Sequence, residues 1–300
     1  MNANNGLFSA LKNIKAEILL ITGTFFWGAT FVIVKDIISR TDAYAFLAVR
    51  FLIAALLPVP FFISKIRTIN RRELISGIIL GIVLSGGYIF QTLGLKITSA
   101  SNTAFITGLS VIIVPLLSAA KLREMPRLNV FAAVITAAVG LYLLTVRNGL
   151  HFSQGDILVI FCAFFFALQI VLVSSMTRGA SAVNITVIEL FTVSVVSFIA
   201  SLTLGTFQLP PDLKAWAGTL FCALFATTFI FIIQSRYQHY ITDYKAAVIY
   251  SLEPLFASIT AFFVLGEVLG IKGIIGGMLI FAAMLISERS VIRRFRMINH

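Results

Sequence analysis

Long apolar segments separated by short polar breaks make up almost the whole chain. Each segment is close to the roughly 17 to 25 residues that an α-helix needs to cross a bilayer. The segments lack strict alternation of apolar and polar residues, and they are about twice as long as a strand of a membrane barrel. The pattern therefore predicts ten membrane-spanning helices, at residues 16–34, 44–64, 72–94, 98–120, 128–146, 156–175, 183–205, 213–235, 242–265 and 271–288.

Composition supports an integral membrane protein of the all-α class. Of the 300 residues, 59% are hydrophobic and only 12% are charged, whereas a soluble domain carries about 25% charged residues. Lys12 and Lys15 precede the first apolar segment, as in a signal peptide. No convincing small-residue cleavage site follows them, so we expect an uncleaved first span.

The charges predict an orientation. The formal net charge is +11, and the basic residues cluster in the polar breaks. Alternate breaks carry sixteen Lys and Arg on one predicted side and six on the other. By the positive-inside rule, both termini face the cytoplasm, and we expect a plasma membrane protein of the bacterial inner-membrane type. Anionic lipid headgroups are the expected partners of the basic breaks and tail, whereas nucleic acid is not. The oligomeric state stays open.

An internal repeat is visible when the chain is displaced by 143 residues. Gln91 then lies on Gln234, and Glu124 lies on Glu267, within a wider set of apolar matches. Polar identities are less easily produced by chance than apolar ones in a chain of this composition. We therefore expect two related halves of five spans each.

The start of each half shows a weaker match, in which a displacement of 139 places residues 25–34 on residues 164–173. Because five is an odd number, the second half would cross the membrane upside down relative to the first, as in the inverted repeats of secondary transporters. The expected division is a first five-helix repeat at 1–147, a second at 148–289 and a basic cytoplasmic tail at 290–300.

Several segments resemble a known family. They are "FFWGATFVIVK" (25–35), "RF" (50–51), "LGLKITSASNTAFITGLSVIIVPLL" (93–117) and "SLEPLFASITAFFVLGE" (251–267). In these the chain resembles, over essentially its whole length, an EamA-type member of the drug/metabolite transporter superfamily. One departure is "KLREMPR" (121–127), where family members often have a more apolar ending. The resemblance implies ten helices, inverted repeats and movement of small metabolites, amino acids or drugs, often outward.

Motifs for catalysis and for nucleotide hydrolysis are missing from the sequence. It contains no HExxH, GxSxG or GxxxxGK[ST] pattern, and its three histidines are scattered. Cys162 and Cys222 lie inside apolar segments without a CxxC pattern, as small core residues do. We expect no catalytic residues, no metal site, no cofactor and no enzyme. Any uphill transport would use an ion gradient or the membrane potential.

Ionisable residues at membrane depth are the first candidates for a site, because each costs about 2.5 to 3.5 kcal/mol on insertion scales. They are Arg50, Glu189 and Glu253. Glu253 lies halfway along its segment, and Pro254 follows it, so the helix should kink where proline clashes with the carbonyl of Tyr250. Glu253 could face a central cavity and bind a substrate amine or carry a coupling proton. Alternatively, it is protonated or paired with Arg50 and only ties helices together.

The other candidates also have two interpretations each. Arg50 could bind a substrate carboxylate, but snorkelling or structural pairing is favoured. For Glu189, snorkelling or an interhelical hydrogen bond is favoured over a site role. The repeat-related Gln91 and Gln234 could line one pocket from both halves or form an interhelical hydrogen bond. Trp27 could be a pocket wall or plain packing.

Together these arguments predict three sets of residues. The predicted substrate-binding residues are Trp27, Gln91, Asn102, Gln169, Gln234, Tyr250 and Glu253. Arg50 and Glu253 are predicted to serve in coupling or as an ion pair. Pro115 and Pro254 are predicted hinges.

The functional hypothesis is a secondary transporter that moves a small metabolite, amino acid or drug-like solute across the plasma membrane. It would use alternating access around a midplane site, with export favoured. One alternative is an uptake carrier for a nucleotide-linked or cofactor-like solute, which would need clustered basic residues where only Arg50 and Lys245 qualify. A lipid-modifying enzyme, a non-transporting scaffold and a plain channel are further alternatives. The substrate and the coupling ion stay open.

Overall fold

The computed structural model describes residues 3–123, 128–145, 153–265 and 270–298, and in these ranges every regular element is helical. The helices are α1 (Ala3–Ile38), α2 (Ala43–Leu56), α3 (Val59–Ile66), α4 (Arg71–Ile97), α5 (Ala100–Gly108), α6 (Ser110–Leu122), α7 (Leu128–Thr145), α8 (Gln154–Met176), α9 (Ala182–Thr203), α10 (Leu213–Ala223), α11 (Ile230–Tyr237), α12 (Asp243–Tyr250), α13 (Glu253–Leu265) and α14 (Ile271–Ile298). A π-helical turn, Leu224–Phe229, joins α10 to α11. The repeat-related Glu124 and Glu267, and the predicted boundary at 147/148, lie outside the described residues.

Six helical stretches in the described ranges are long and apolar enough to cross a membrane: Leu11–Ile38, Arg71–Ile97, Asn102–Leu122, Gln154–Met176, Ala182–Thr203 and Leu213–Tyr240. A seventh results if α2 and α3, bent by 67° relative to each other, are one span. Two shorter apolar stretches lie in α7 and α14. The all-helical, multi-pass architecture is therefore confirmed, whereas the count of ten spans stays a prediction.

Polar residues of the breaks start several helices. The Asp42 carboxylate accepts a hydrogen bond from the backbone N–H of Ala45 at 2.8 Å and caps α2. Asn70 and Glu73 form a reciprocal capping box at the start of α4. These contacts satisfy backbone donors that have no partner within a helix, so the breaks that were recognised by polarity also determine where helices begin.

The exposed and buried side chains of the helices are those expected for a protein in lipid. On α8, Ile160, Phe161 and Phe164 are exposed on the outer surface, whereas Gln169 is buried. The buried set also includes Arg50, together with several serines and threonines. Apolar side chains thus face outward, and polar ones face other helices, which is where a bilayer tolerates them.

Two interruptions occupy equivalent places in the two predicted halves. The helices α5 and α6 meet at Leu109, and α12 and α13 are separated by Ser251 and Leu252. In the alignment at a displacement of 143, Leu109 lies on Leu252. The helical hydrogen bonding of the fourth predicted span is therefore irregular at the same position in both halves, although Asn102–Leu122 still forms one stretch long enough to cross a membrane.

The two predicted hinges lie after these interruptions. Pro254 is the second residue of α13, in the first helical turn, where a missing N–H breaks no hydrogen bond. Pro115 lies inside α6, which continues to Leu122. The expected kink at Tyr250 within one continuous helix is therefore replaced by two separate helices. Hinge roles for the prolines stay predictions.

The third predicted span of each half packs on the first two predicted spans of the other half. The helix α4 packs on α8 and α9, and correspondingly the α10–α11 segment packs on α1 and α2. Two pairs, α2 with α9 and α7 with α14, join equivalent helices of the two halves. The α7–α14 crossing is close, because a Cβ on Gly140 would lie 2.8 Å from the carbonyl oxygen of Gly276. Small residues of this kind let membrane helices approach each other.

Candidate functional site

A central cavity brings together most of the predicted binding residues. It is lined by six of the seven, Trp27, Gln91, Gln169, Gln234, Tyr250 and Glu253, and also by Arg50. Its volume is about 70 Å³, which is room for a few water molecules at roughly 10 to 15 Å³ each. The cavity is thus small, carries several polar groups on largely apolar walls, and is surrounded by helices of both predicted halves.

The cavity walls are related by the repeat. At the two displacements seen in the sequence, lining residues fall into pairs: Gln91 with Gln234, Tyr88 with Phe231, Thr107 with Tyr250, Ser110 with Glu253, Trp27 with Phe166, and Thr30 with Gln169. Equivalent positions of both halves therefore contribute to one chamber. The carboxylate has no counterpart in the first half, because Ser110 occupies the position equivalent to Glu253.

Glu253 is the first residue of α13, directly after the interruption. Its carboxylate lines the cavity, and no hydrogen-bond donor contacts it in the described ranges. The interruption is packed tightly against α1, since a Cβ on Gly28 would lie 2.6 Å from the carbonyl oxygen of Glu253. The backbone of Glu253 is therefore fixed against α1, and its carboxylate is available to accept hydrogen bonds from a ligand.

Arg50 is 3% exposed and lies in the cavity wall on α2. Its Nε donates to Thr227 Oγ1 at 2.9 Å, and its guanidinium carbon lies 5.2 Å and 5.4 Å from the ring centres of Tyr88 and Phe51. Among the described residues, no carboxylate forms an ion pair with Arg50. The pairing of Arg50 with Glu253, one of the alternatives from the sequence, is therefore not present in this structure.

The π-helical turn at Leu224–Phe229, which was not predicted from the sequence, lies behind the cavity wall and holds two of its residues. Within it, the carbonyl of Ala226 accepts a hydrogen bond from Trp27 Nε1 at 2.9 Å, and Thr227 accepts the bond from Arg50. Such turns are rare and are frequent at functional sites. An apolar run interrupted by two threonines was its only signal, and the same run is also typical of an ordinary membrane helix.

A hydrogen-bonded glutamine cluster borders the cavity. Gln169 donates to Glu189 Oε1 at 3.0 Å and exchanges hydrogen bonds with Gln234. Gln234 and the Tyr250 hydroxyl both donate to Gln238 Oε1 at 2.9 Å. Glu189 is fully buried and does not line the cavity. It therefore makes an interhelical hydrogen bond and does not snorkel. Gln238 was not predicted, although it follows Gln234 by one helical turn.

The profile of the EamA-like transporter family matches residues 14–146 and 153–288. The chain belongs to this family. An Archaeoglobus fulgidus protein described as an uncharacterized transporter is 32% identical, covering 92% of this chain and 86% of its own. The Bacillus subtilis uncharacterized transporter YyaM is 25% identical, with coverages of 92% and 94%. A solved structure described only as "Crystal structure of protein" shares the fold, with a TM-score of 0.79, 14% identity and coverages of 94% and 99%.

Membership of the EamA-like family makes the chain a multi-pass membrane transporter. The resemblance seen in the sequence is thus confirmed. The two matched ranges fall one in each predicted half.

Asn102 is not part of the central cavity of this EamA-like protein. Its Nδ2 lies 3.5 Å from both carboxylate oxygens of Asp156, which also accepts a hydrogen bond from Thr98 Oγ1 at 2.6 Å. Asp156 belongs to the capping box that starts α8. The structure therefore places Asn102 at a helix end, apart from the other predicted binding residues.

The described ranges contain no group of three or more His, Cys, Asp or Glu side chains that could hold a metal ion. Cys162 and Cys222 are buried free thiols. The cavity combines one unpaired carboxylate, one guanidinium, amides and aromatic surfaces.

Proposed function

We propose that this transporter is a secondary carrier of ten membrane-spanning helices in two inverted five-helix halves, at 1–147 and 148–289, with a basic tail at 290–300. It would expose the central cavity alternately to the two sides of a plasma membrane, with both termini in the cytoplasm. Equivalent interruptions, exchanged packing partners and paired cavity walls support two inverted halves. Export is the favoured direction.

The observation that carries the proposal is the unpaired Glu253 carboxylate in a cavity between the halves. A solute with a protonated amine would meet Glu253, and the rings of Trp27 and Tyr250 add favourable surface for a cation. The guanidinium of Arg50 would suit an acidic group on the same solute. Amino acids and related small zwitterions fit this combination of one negative and one positive wall.

An uptake carrier for nucleotide-linked solutes is less well supported. Such a solute needs several basic residues in the cavity, and the lining contains Arg50 but not Lys245. Lys245 is instead paired with Glu17, where its Nζ lies 2.5 Å from a carboxylate oxygen. A non-transporting scaffold would not require a carboxylate without a partner in a central cavity.

Counterflow in liposomes tests the proposal, with a panel of labelled amino acids and small metabolites. The wild type should show saturable counterflow of at least one amine-bearing solute. Glu253→Gln should slow it by roughly tenfold or more, since a hydrogen bond to a charged group contributes about 1.5 to 3 kcal/mol. The matched control is Glu189→Gln, a buried glutamate outside the cavity lining. Its amide oxygen can still accept the hydrogen bond from Gln169, so counterflow should be largely retained.

Equal thermal unfolding of the three proteins in detergent must be shown first. A flux that rises linearly with solute concentration, without counterflow, would identify a channel. Absence of any exchange across the panel would contradict the carrier. Equal rates for wild type and Glu253→Gln would leave a carrier whose binding does not use this carboxylate.

A further inference from the structure

A second cleft lies at the end of the molecule that is richest in lysine and arginine, the predicted cytoplasmic end. It has a volume of about 610 Å³ and is bounded by α3, the start of α9 and the end of α11. It shares no lining residue with the central cavity. The cleft is therefore a separate candidate site, which the transport cycle proposed above does not use.

The charges of the cleft favour an anion. Lys65 and Arg236 line it from different helices, both are exposed, and neither is in an ion pair within the described ranges. Glu73 also lines it, but its carboxylate already accepts hydrogen bonds from the backbone N–H of Ser181 and from Asn184 Nδ2, each at 2.8 Å. Lys65 lies over the Phe62 ring and Arg236 over the Tyr237 ring, but neither charge is balanced by a carboxylate. The charge of the cleft is therefore positive at these two residues, while the Glu73 carboxylate is already held by hydrogen bonds from within the protein.

One buried acceptor atom in the cleft wall lacks a hydrogen-bond donor. Asn184 is only 2% exposed, and its Nδ2 is held by Glu73, so its Oδ1 is oriented as an acceptor. No described group donates to this oxygen. A buried acceptor without a partner costs about 1 to 3 kcal/mol. The oxygen is buried when the cleft is empty, and a rotation of the Asn184 side chain towards the cleft would let a ligand hydroxyl satisfy it.

Apolar surface lies directly beside the basic groups. The helix α3 bends away from α2 by 67°, none of its residues is buried, and Phe61 is 82% exposed. Ile63 on the same helix is also exposed. A soluble phosphate compound has no use for such surface, whereas the acyl chain of a lipid does.

We propose that this cleft binds an anionic glycerophospholipid whose headgroup carries a hydroxyl. Its phosphate lies between Lys65 and Arg236, and the headgroup hydroxyl donates to Asn184 Oδ1. The acyl chains lie along Phe61 and Ile63. Basic pockets between membrane helices on the cytoplasmic side are suited to such headgroups. The sequence predicted contact with anionic lipid at all of the basic breaks, and this proposal assigns one such contact to a defined cleft.

The test compares binding of phosphatidylglycerol and phosphatidylcholine to the purified full-length protein by native mass spectrometry. The wild type should retain phosphatidylglycerol preferentially. The double variant Lys65→Gln/Arg236→Gln should weaken that binding by roughly 10- to 30-fold, at about 1 kcal/mol per basic residue. The matched control is Lys214→Gln/Lys272→Gln, which removes two exposed lysines at the opposite predicted end, and it should bind as the wild type does.

Each contrary result overturns the assignment. These results are equal retention of the two lipids by the wild type, unchanged binding in the cleft variant, or an equal loss in the control variant. Free glycerol phosphate is added as a further arm. If it displaces the lipid at concentrations comparable to the lipid's own, the site takes a soluble phosphate and the lipid assignment is wrong. The measurement needs no transport activity, so it is independent of the carrier proposal.

Discussion

At the residue scale, the two charged residues of the cavity are stabilised in different ways. Arg50 has no carboxylate partner in the described ranges, but its Nε is bonded to Thr227 and its guanidinium lies over aromatic rings. Glu253 has neither contact. Arg50, whose charge is already stabilised by contacts within the protein, is suited to a structural role in the site. Glu253, which lacks such contacts, is suited to binding a ligand.

Replacing Thr227 tests how Arg50 is held. Thr227→Val removes the acceptor for Arg50 Nε and also the bond that Thr227 donates to the carbonyl of Cys222. It should lower the free energy of unfolding by about 2 to 4.5 kcal/mol, because a hydrogen bond to a charged group contributes about 1.5 to 3 kcal/mol and a neutral one about 0.5 to 1.5 kcal/mol. The neighbouring Thr228→Val removes only a bond to the carbonyl of Ala54, for which about 0.5 to 1.5 kcal/mol is expected. Unfolding of both variants in the same detergent measures the difference. Equal losses would mean that Thr227 does not stabilise the guanidinium.

At the element scale, local departures from regular helical hydrogen bonding position the residues of the cavity. They occur at Leu109 and at Ser251–Leu252, and in the π-helical turn at Leu224–Phe229, which holds Trp27 and Arg50. A bilayer tolerates such backbone only where protein or a water-lined cavity surrounds it. In the first half the break forms where Val111, not proline, occupies the position equivalent to Pro254. Proline is therefore not required for an interruption at this place.

Pro254→Ala should accordingly leave the interruption and the function in place. We expect at least half of the wild-type counterflow rate, because Gly28 and α1 still hold the backbone of Glu253. Pro115→Ala, the proline of the first half, is the parallel variant and should behave in the same way. Retained folding with counterflow reduced as far as in Glu253→Gln would show instead that Pro254 is a hinge of the transport cycle.

At the scale of the whole molecule, the paired walls and exchanged helix contacts describe two halves that surround one chamber. The same residue positions line it from both halves, as the alternating access proposed above requires. The cluster around Gln238 breaks this symmetry, since Leu95 lies at the equivalent position of the first half. At this position the second half has an amide side chain and the first half an apolar one.

Single cysteines test the orientation of the whole chain. Gln208→Cys, in the break before α10, should react in intact cells with a thiol reagent that cannot cross the membrane. Thr68→Cys, in the basic break before α4, should react only after the cells are permeabilised. Both positions are exposed, and Cys162 and Cys222 are buried, so background labelling should be low. The reverse pattern would place the termini outside the cell and overturn the orientation.

The sequence by itself determined the helical membrane class, the internal repeat and the polar residues at membrane depth. It could do so because hydropathy and the cost of burying charge are properties of each segment, whatever surrounds it. Trp27, Gln91 and Glu253 could be singled out in this way.

Only the tertiary structure decided which of these residues meet. It placed Asn102 beside Asp156 and outside the cavity. The hydrogen-bond partner of Arg50 is Thr227, whereas the sequence suggested an ion pair with Glu253. Gln238 joins the polar cluster beside the cavity. These outcomes depend on contacts between residues far apart in the chain, and apolar segments of similar composition could pack in many ways. Packing is set by the shapes of two surfaces at once, which no single segment contains.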